Sequence, residues 1–144
     1  MNITVFLTKF ISWASAQPDV TGVALVGSHA HGTARPESDV DIMVLATNVE
    51  GYFQDKTWAS LFGQLERVEE EHWGAVETLR AFYKNGGEAE FNFSVPDWAG
   101  IPVDPGTHRV VSDGIKILYD PQNLLRSVQQ TVLDKTVLDS KSKQ

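Results

Sequence analysis

Two apolar, β-branched runs of the sequence are separated by a short segment of glycine and small polar residues. The first run, residues 20–26, predicts a buried strand that ends at Gly27 and Ser28. The second, residues 39–46, alternates acidic with apolar residues before it becomes wholly apolar. It therefore predicts a strand that is polar on one face at its start and buried at its end. Residues 29–36 between them are expected to form a loop or one short helix.

The junction after the first predicted strand has the features of an anion-binding corner. Gly27 has no side chain, so the backbone can come close to a ligand at this point. Ser28 is expected to begin the short helix as its N-cap. The free backbone N–H groups of that turn, together with the Ser28 hydroxyl, would then bind an anion such as a phosphate.

The second predicted strand carries two carboxylates on one face. Asp39 and Asp41 stand at positions i and i+2, so their side chains point the same way, about 7 Å apart. Two like charges so placed are unfavourable unless a cation lies between them. Hard divalent ions such as Mg²⁺ bind through one or two carboxylates together with substrate phosphates. A phosphate corner beside a carboxylate pair is what metal-assisted phosphoryl or nucleotidyl transfer requires.

A third carboxylate is expected from a hairpin farther along the chain. Residues 76–84 and 88–95 are predicted strands, joined by an Asn-Gly-Gly turn whose residues tolerate positive φ. Glu90 is the preferred candidate and Glu88 the alternative. Both lie on the polar face of the strand predicted over residues 88–95, opposite its apolar face. If this strand lies beside the strand of the aspartate pair, three carboxylates converge. Two Mg²⁺ ions roughly 3.5 to 4 Å apart could then bind the attacking and leaving oxygens.

Composition limits the class of protein and the class of ligand. The 144 residues fit a single domain over 1–144, and 42% apolar with 22% charged residues is ordinary for a soluble globular chain. Cysteine is absent, which excludes a disulfide framework, a Cys-ligated zinc site and a cysteine nucleophile. A net charge of −7 disfavours extended nucleic acid, although a metal ion could still bring in one phosphorylated small molecule.

The N-terminal segment predicts a packed helix. Apolar residues between positions 3 and 14 follow the i, i+3, i+4, i+7 spacing of an amphipathic helix, and the segment lacks the basic start of a secretory leader. No apolar stretch approaches the roughly 18 residues of a membrane span. A cytoplasmic location without a membrane partner is therefore expected.

The other segments carry weaker signals. Residues 65–84 are ambiguous as a whole, because some of their apolar positions also fit a helix. Asp104-Pro105-Gly106 has the composition of a turn. The remaining expected elements are a helix over residues 52–62, a short strand over 114–119, and a C-terminal helix over about 121–138 that follows the core (about 1–120) and precedes a frayed tail.

The combination of Gly-Ser after one strand, Ser38-Asp39-Val40-Asp41 at the next, and an acidic residue on a later strand resembles the nucleotidyltransferase superfamily. This superfamily includes polymerase beta, kanamycin nucleotidyltransferase and the minimal nucleotidyltransferases. The resemblance covers about residues 20–95, with a helix before the first strand. It implies an α+β fold, with a mixed sheet flanked by helices, and a two-metal site.

The resemblance also implies a role for each matching residue. Gly27 and Ser28 would bind the nucleotide phosphates. Asp39 and Asp41 would be metal ligands. Glu90 would be the base for the acceptor hydroxyl and a ligand of one metal ion.

The sequence departs from the usual family pattern in three respects. The third acid is Glu rather than Asp, which leaves Glu88 and Glu90 as alternatives. His31 stands at a position in the Gly-Ser loop that is often basic. After the expected core, the 144 residues are expected to offer one helix where many antibiotic-modifying relatives have a helical second domain, so the acceptor is left open.

Two functions from different classes follow. The first is an enzyme that uses Mg²⁺, with two ions expected, to move a nucleoside monophosphate, preferably AMP, from a nucleoside triphosphate such as ATP. The acceptor would be a hydroxyl or phosphate on a small molecule or a protein. The second is an interaction module with weak or lost activity, such as the antitoxin-type partner of a toxin–antitoxin pair. A homodimer or a toxin-type protein partner is compatible with the sequence.

Several side chains near the motif also have structural interpretations. His29 and His31 are expected to contact backbone or phosphate rather than a metal ion. Arg35 and Arg80 could neutralise phosphate but are expected to pair with surface glutamates. The run of three glutamates at residues 69–71 is expected to be solvated. The tryptophans are expected in the core, at positions 13, 58, 73 and 98.

Overall fold

The structure, a computed structural model, describes residues 2–35 and 38–142, with side chains in the last helix up to residue 135. The strands in these ranges are β1 Val20–Val26, β2 Val40–Ala46, β3 Leu65–Trp73, β4 Val76–Tyr83, β5 Glu88–Ser94 and β6 Lys116–Tyr119. The α-helices are α1 Ile3–Ser15, α2 Ser28–His31, α3 Val49–Gln54, α4 Pro105–Asp113 and α5 Leu124–Ser142. Two 3₁₀ helices, Thr57–Phe62 and Pro96–Ala99, complete the described elements.

The strands form one mixed sheet in the order β3-β4-β5-β2-β1-β6. β2 and β5 pair in parallel, and the other neighbouring strands pair antiparallel. Helices pack against both faces of the sheet. The expected α+β architecture, a mixed sheet flanked by helices, is therefore confirmed.

The two faces of the sheet carry different cores, because successive side chains of a strand point to opposite faces. On one face α1 covers an aromatic layer in which the rings of Phe10 and Phe91 stack with centroids 5.2 Å apart. On the other face α4 and α5 cover a smaller core that includes Met43 and Leu125. Asp41 lies two residues before Met43, so its side chain points to this second face.

The N-terminal helix is present as predicted. The Asn2 side chain caps α1 by accepting a hydrogen bond from the Val5 N–H at 3.1 Å. The buried side chains of α1, Phe6, Phe10 and Ala14, are spaced by four residues. This spacing confirms the amphipathic pattern, because it places all three on the face that packs against the sheet.

The single helix predicted over residues 52–62 is wrong, since the chain forms α3 and a separate 3₁₀ helix there. Asp55 lies between them in an extended conformation. Its Oδ1 accepts hydrogen bonds from the Thr57 N–H at 3.0 Å and from the Thr57 hydroxyl at 2.7 Å. Such a local turn competes with helical hydrogen bonds, which explains why α3 ends.

The predicted hairpin is confirmed by β4 and β5, and the ambiguous stretch before it is a third strand, β3. Trp73 pairs with Val76 across a turn in which Gly74 has a φ of 61°. β3 is an edge strand whose residues are exposed or half-buried throughout. Its sequence therefore lacks the apolar alternation that identifies a half-buried strand.

The segment expected as a turn at residues 104–106 begins a helix, α4. The Asp104 carboxylate accepts a hydrogen bond from the Gly106 N–H at 2.9 Å. Pro105 occupies the first turn, where a missing N–H leaves no hydrogen bond unmade. The same residue types favour a turn and a helix start, and the tertiary packing of Val111 against the second core decides for the helix.

The last helix, α5, begins at Leu124 rather than at Pro121. The Asp120 carboxylate accepts hydrogen bonds from the backbone N–H groups of Leu125 at 3.1 Å and Arg126 at 3.0 Å. The helical backbone continues to Ser142, through most of the segment that the sequence predicted to fray, and residues 143–144 lie outside the described residues. None of the helices in the described part of the chain has the length and apolar character needed to cross a membrane.

Replacement of Phe91 by Ala should lower the free energy of unfolding by about 3 to 5 kcal/mol. Phe91 is 0% exposed and contacts several aromatic rings, so its loss leaves a cavity between α1 and the sheet. Urea unfolding measures the change. Leu133→Ala is the control, because Leu133 is 54% exposed and should change stability by no more than about 0.5 kcal/mol. Equal losses in the two variants would contradict this account of the core.

Candidate active site

The parallel pairing of β2 with β5 brings the acidic residues of the two strands together. Asp41 stands opposite Glu90, and Val40 stands opposite Ala89. Asp39 lies two residues before Asp41, and Glu88 lies two residues before Glu90. Their side chains therefore point to the same face as the Asp41 and Glu90 pair. The expectation that the strand of Glu90 lies beside the strand of the two aspartates is confirmed.

Three of these four carboxylates form a close cluster. An oxygen atom from each of Asp39, Glu88 and Glu90 lies within 4.8 Å of the other two. Both of the alternative third acids, Glu88 and Glu90, therefore reach the site. Carboxylate oxygens at this spacing are ligands that suit a hard divalent ion such as Mg²⁺.

Asp41 lies two residues farther along the strand than Asp39, on the same face, and accepts a hydrogen bond from a neighbouring side chain. Asn92 Nδ2 donates to Asp41 Oδ1 at 2.5 Å and to the Ile42 carbonyl at 3.1 Å. Thr78 donates its hydroxyl hydrogen to Asn92 Oδ1 at 2.6 Å. Asn92 was missed in the sequence, although its position two residues after Glu90 places it on the acidic face. The hydrogen bonds from Thr78 to Asn92 and from Asn92 to Asp41 therefore fix the orientation of the Asp41 carboxylate.

Burial and mutual repulsion oppose the ionisation of the cluster. Partial burial raises the pKa of Asp39, and the neighbouring Glu88 carboxyl raises it further. Burial is also the main cause that raises the pKa of Asp41. The pKa of Glu90 rises to about 7, first through burial and then through the charge of Asp41, while Arg80 opposes the rise. Since a cation would relieve this repulsion, the donor set fits a divalent metal ion.

Arg80 on β4 is part of the site. It stands opposite Glu90, and its Nε lies 3.3 Å from Glu90 Oε1. Its Nη2 donates to Glu88, and its Nη1 lies 3.3 Å from Glu71 Oε1. The predicted pairing with glutamates is thus present, but two of these glutamates belong to the carboxylate cluster. Glu71 also forms an ion pair with Arg80, so the expectation that the glutamates at residues 69–71 are only solvated is wrong for this residue.

The corner between β1 and α2 differs in one detail from the prediction. Gly27, with a φ of 70°, is the N-cap of α2, and Ser28 is the first helical residue, so Ser28 as N-cap is wrong. The Gly27 carbonyl accepts hydrogen bonds from the N–H groups of Ala30 at 3.0 Å and His31 at 3.2 Å. A Cβ atom on Gly27 would lie 3.0 Å from Asp41 Oδ2. The glycine therefore brings this corner directly against the acidic face.

Neither His29 nor His31 of the corner belongs to the carboxylate cluster. His29 Nε2 lies 3.4 Å from the Ser38 carbonyl oxygen. Among the described residues, the group of acidic and histidine side chains that could hold a metal ion includes neither His29 nor His31. Pro36 and Glu37 in this loop lie outside the described residues.

A pocket of about 340 Å³ lies beside Asp41 and Asn92, between the sheet and α4. Trp73, at the end of β3, forms part of its wall and is 65% exposed, so the prediction of a core position is wrong for this tryptophan. Trp58 and Trp98 are buried, as predicted. The pocket combines apolar and aromatic walls with a few polar groups next to the acidic face.

Gly27→Ala should destabilise the protein more than Gly32→Ala, by about 1 kcal/mol or more. Both glycines have positive φ, so both variants strain the backbone. A new Cβ at Gly27 also meets the Asp41 carboxylate, whereas one at Gly32 has nothing within 4 Å. Thermal or urea unfolding of the pair measures the difference. Equal destabilisation would mean that the close approach to Asp41 does not matter.

In the metal-free protein, stability should fall as the pH rises from about 4.5 to about 7, because of Glu90. In this window the unfolded chain has lost the Glu90 proton while the folded protein still binds it. The loss should be on the order of 2 to 3 kcal/mol. Glu90→Gln should flatten this part of the profile, measured by urea unfolding at several pH values in the presence of a chelator. Glu50→Gln, on the other side of the sheet, is the control and should keep the wild-type profile.

Comparison with known proteins agrees with this geometry. The family described as "Nucleotidyltransferase domain" matches residues 7–84, just over half of the chain. This range includes Gly27, Ser28, Asp39 and Asp41 and ends before β5. No curated protein sequence matches the chain significantly.

The fold is also similar to that of a solved structure, the crystal structure of an aminoglycoside 6-adenyltransferase from Bacillus subtilis, with a TM-score of 0.53. The two sequences are 16% identical, and the match covers 65% of this chain and 35% of that enzyme. At this identity the likeness concerns the fold alone, and the chain spans about a third of the length of the enzyme. From the family match and the arrangement of the acidic strands, the chain belongs to the nucleotidyltransferase domain family.

Proposed function

We propose that the protein is a Mg²⁺-dependent nucleotidyltransferase that moves a nucleoside monophosphate, preferably AMP from ATP, to a hydroxyl or phosphate acceptor. The observation that carries the proposal is the pairing of Asp41 with Glu90 in parallel strands. This pairing gathers the carboxylates beside the Gly27–Ser28 corner. Nucleotidyl transfer needs these two features together, a place for phosphates and a place for the metal ions that accompany them.

Each residue of the site has a task in this reaction. Gly27 and Ser28 hold the phosphates that leave as pyrophosphate. Asp39, Asp41 and Glu90 are the ligands for the metal ions, which when bound would offset negative charge on the triphosphate. The acceptor oxygen attacks the α-phosphorus in line, and the bond from this phosphorus to the bridging oxygen of pyrophosphate breaks.

Glu90 is suited to be the base for an acceptor hydroxyl. In the metal-free protein its pKa is raised to about 7, and a bound metal ion would lower this pKa and so favour the carboxylate, the form that accepts a proton. The acceptor proton passes to the Glu90 carboxylate as the new oxygen–phosphorus bond forms. For a phosphate acceptor, which is already ionised, this proton transfer is not needed.

We place the acceptor in the pocket beside Asp41 and Asn92. The phosphate corner contacts β1 and β2, whereas the pocket extends across the same face as far as Trp73 on β3. The pocket is also lined by Val26, next to the phosphate corner, so a compound bound there would lie close to both the phosphates and Asp41. Its aromatic wall favours an acceptor with an apolar or planar part, and Arg109 at its rim could contact an anionic group.

Asp39→Asn and Asp41→Asn should each abolish the stabilisation of the protein by ATP with Mg²⁺. Wild type should show a melting temperature that rises with the concentration of ATP and Mg²⁺, because ligands that bind only the folded state stabilise it. Glu50→Gln is the matched control: it also removes one negative charge but lies on α3, away from the site. Loss of the response in this control as well, or its survival in both aspartate variants, would contradict the proposal.

The acceptor itself can be found by transfer of label. Wild type and Asp41→Asn would be incubated with Mg²⁺, α-labelled ATP and separate pools of metabolites, antibiotics and proteins. Label transferred by wild type alone would identify the pool that contains the acceptor. Repeating the reaction with the other nucleoside triphosphates would establish the base preference.

A second candidate function is a non-catalytic interaction module, such as an antitoxin-type partner. One observation favours it: Arg80 already provides a cation that offsets part of the charge of the carboxylate cluster. An unchanged melting temperature with ATP and Mg²⁺, together with a copurifying protein partner, would support this function over the enzyme.

A further inference from the structure

We propose that the guanidinium of Arg80 and a divalent metal ion are alternative occupants of one cation position, formed by Asp39, Glu88 and Glu90. Metal binding would move Arg80 towards Glu71. The inference rests on the proposed function, because it concerns how the same site takes up its metal ion. It adds a residue that sets the metal affinity and a fourth carboxylate, Glu88, as a ligand.

Arg80 contacts all three carboxylates of the cluster. Its Nη2 donates to Glu88 and lies 3.9 Å from Asp39 Oδ2, and its Nε lies 3.3 Å from Glu90 Oε1. The three carboxylates have oxygens within 4.8 Å of one another, a spacing that suits one central cation. A metal ion bound to all three would take the oxygens that Arg80 now contacts, so the two cations compete.

The contacts of Arg80 with the cluster are incomplete. Its Nε is buried and makes no hydrogen bond within the described part of the chain, because the approach to Glu90 has the distance of an ion pair without a hydrogen-bond alignment. With one hydrogen bond to the cluster, from Nη2 to Glu88, the guanidinium is easier to displace than one held by bidentate hydrogen bonds. A small, hard divalent ion has the stronger attraction for the same oxygens.

Arg80 also has a second set of partners to which it can move. Its Nη1 lies 3.3 Å from Glu71 Oε1 on the neighbouring edge strand, and its Cζ lies 5.6 Å from the centre of the Phe82 ring. The sheet order explains this position, since β4 lies between β3 and β5. A small rotation of the side chain would therefore keep one ion pair and an aromatic contact while it frees the cluster.

Competition between two cations predicts opposite effects on the two states of the protein. Without Arg80, the metal-free protein has uncompensated carboxylates and should melt at a lower temperature. The same repulsion should strengthen metal binding, because the metal ion no longer has to displace a resident charge. At an effective dielectric constant of about 20, one charge at these distances changes an affinity by about tenfold or more.

The test is the affinity for Mn²⁺, measured without nucleotide by titration calorimetry or electron paramagnetic resonance. Arg80→Met should bind Mn²⁺ about tenfold or more tightly than wild type and should melt at a lower temperature in chelator. Arg80→Lys keeps the charge and should stay close to wild type. Arg67→Met is the matched control, because Arg67 also packs on Phe82, at 3.9 Å, but pairs with Glu69 outside the cluster.

A second pair of variants tests the movement towards Glu71 and does not depend on the folding of Arg80→Met. Glu71→Gln removes the alternative partner of Arg80 and should weaken Mn²⁺ binding. Glu69→Gln removes the same charge from the same strand and should weaken it less, because Glu69 stands opposite Arg80 but its carboxylate pairs with Arg67. In wild type, addition of Mg²⁺ should shift the NMR signal of Arg80 Nε and leave that of Arg67 unchanged.

The outcomes separate this inference from the proposed function. If wild type binds Mn²⁺ but Arg80→Met binds it no more tightly than Arg67→Met, the exchange is wrong and the transferase proposal stands. Equal effects of Glu71→Gln and Glu69→Gln would also overturn the exchange. If wild type binds no Mn²⁺, alone or with ATP, both proposals fail.

Discussion

The parallel hydrogen bonding between β2 and β5 is the constraint on which the rest of the structure depends. It sets Asp41 opposite Glu90, and the period of two then aligns Asp39 with Glu88 on the same face. A shift of one residue in this register would turn either set of acids into the aromatic core and expose Phe91 or Ile42 instead. Burial of the apolar side chains under α1 therefore fixes the register that brings the acidic residues together, although the two groups lie on opposite faces of the sheet.

The repulsion among the four carboxylates of the site is offset by different neighbouring groups. Asp41 is stabilised by the Asn92 amide, whereas the outer carboxylates share Arg80. Burial, and then the charge of Asp41, still raise the pKa of Glu90 to about 7. Arg80 and Asn92 therefore offset only part of the charge of the cluster, which suits the divalent metal ion that we propose for it.

Most of the central fold was predictable because its elements have strong local signals. β1, the hairpin of β4 and β5, and α1 have apolar patterns of period 2 or 3.6, and they were predicted to within a residue or two. β3 and α4 were not predicted, since an edge strand lacks apolar alternation and Asp104-Pro105 begins a turn as readily as a helix. The core position predicted for Trp73 was wrong for a related reason. A tryptophan side chain gains much free energy when it is buried, but the sequence does not show that its strand lies at the edge of the sheet.

The sequence by itself determined which chemical groups the protein has and where each lies along its strand. Gly27 and Ser28 after β1, two aspartates at the start of β2 and glutamates on β5 follow from local pattern alone. The tertiary structure decided which of these groups meet. Strand order is set by non-local hydrogen bonds and by burial of both faces of the sheet, so only the folded chain brings Glu88 into the cluster, places Asn92 beneath Asp41 and encloses Arg80 between β3 and β5.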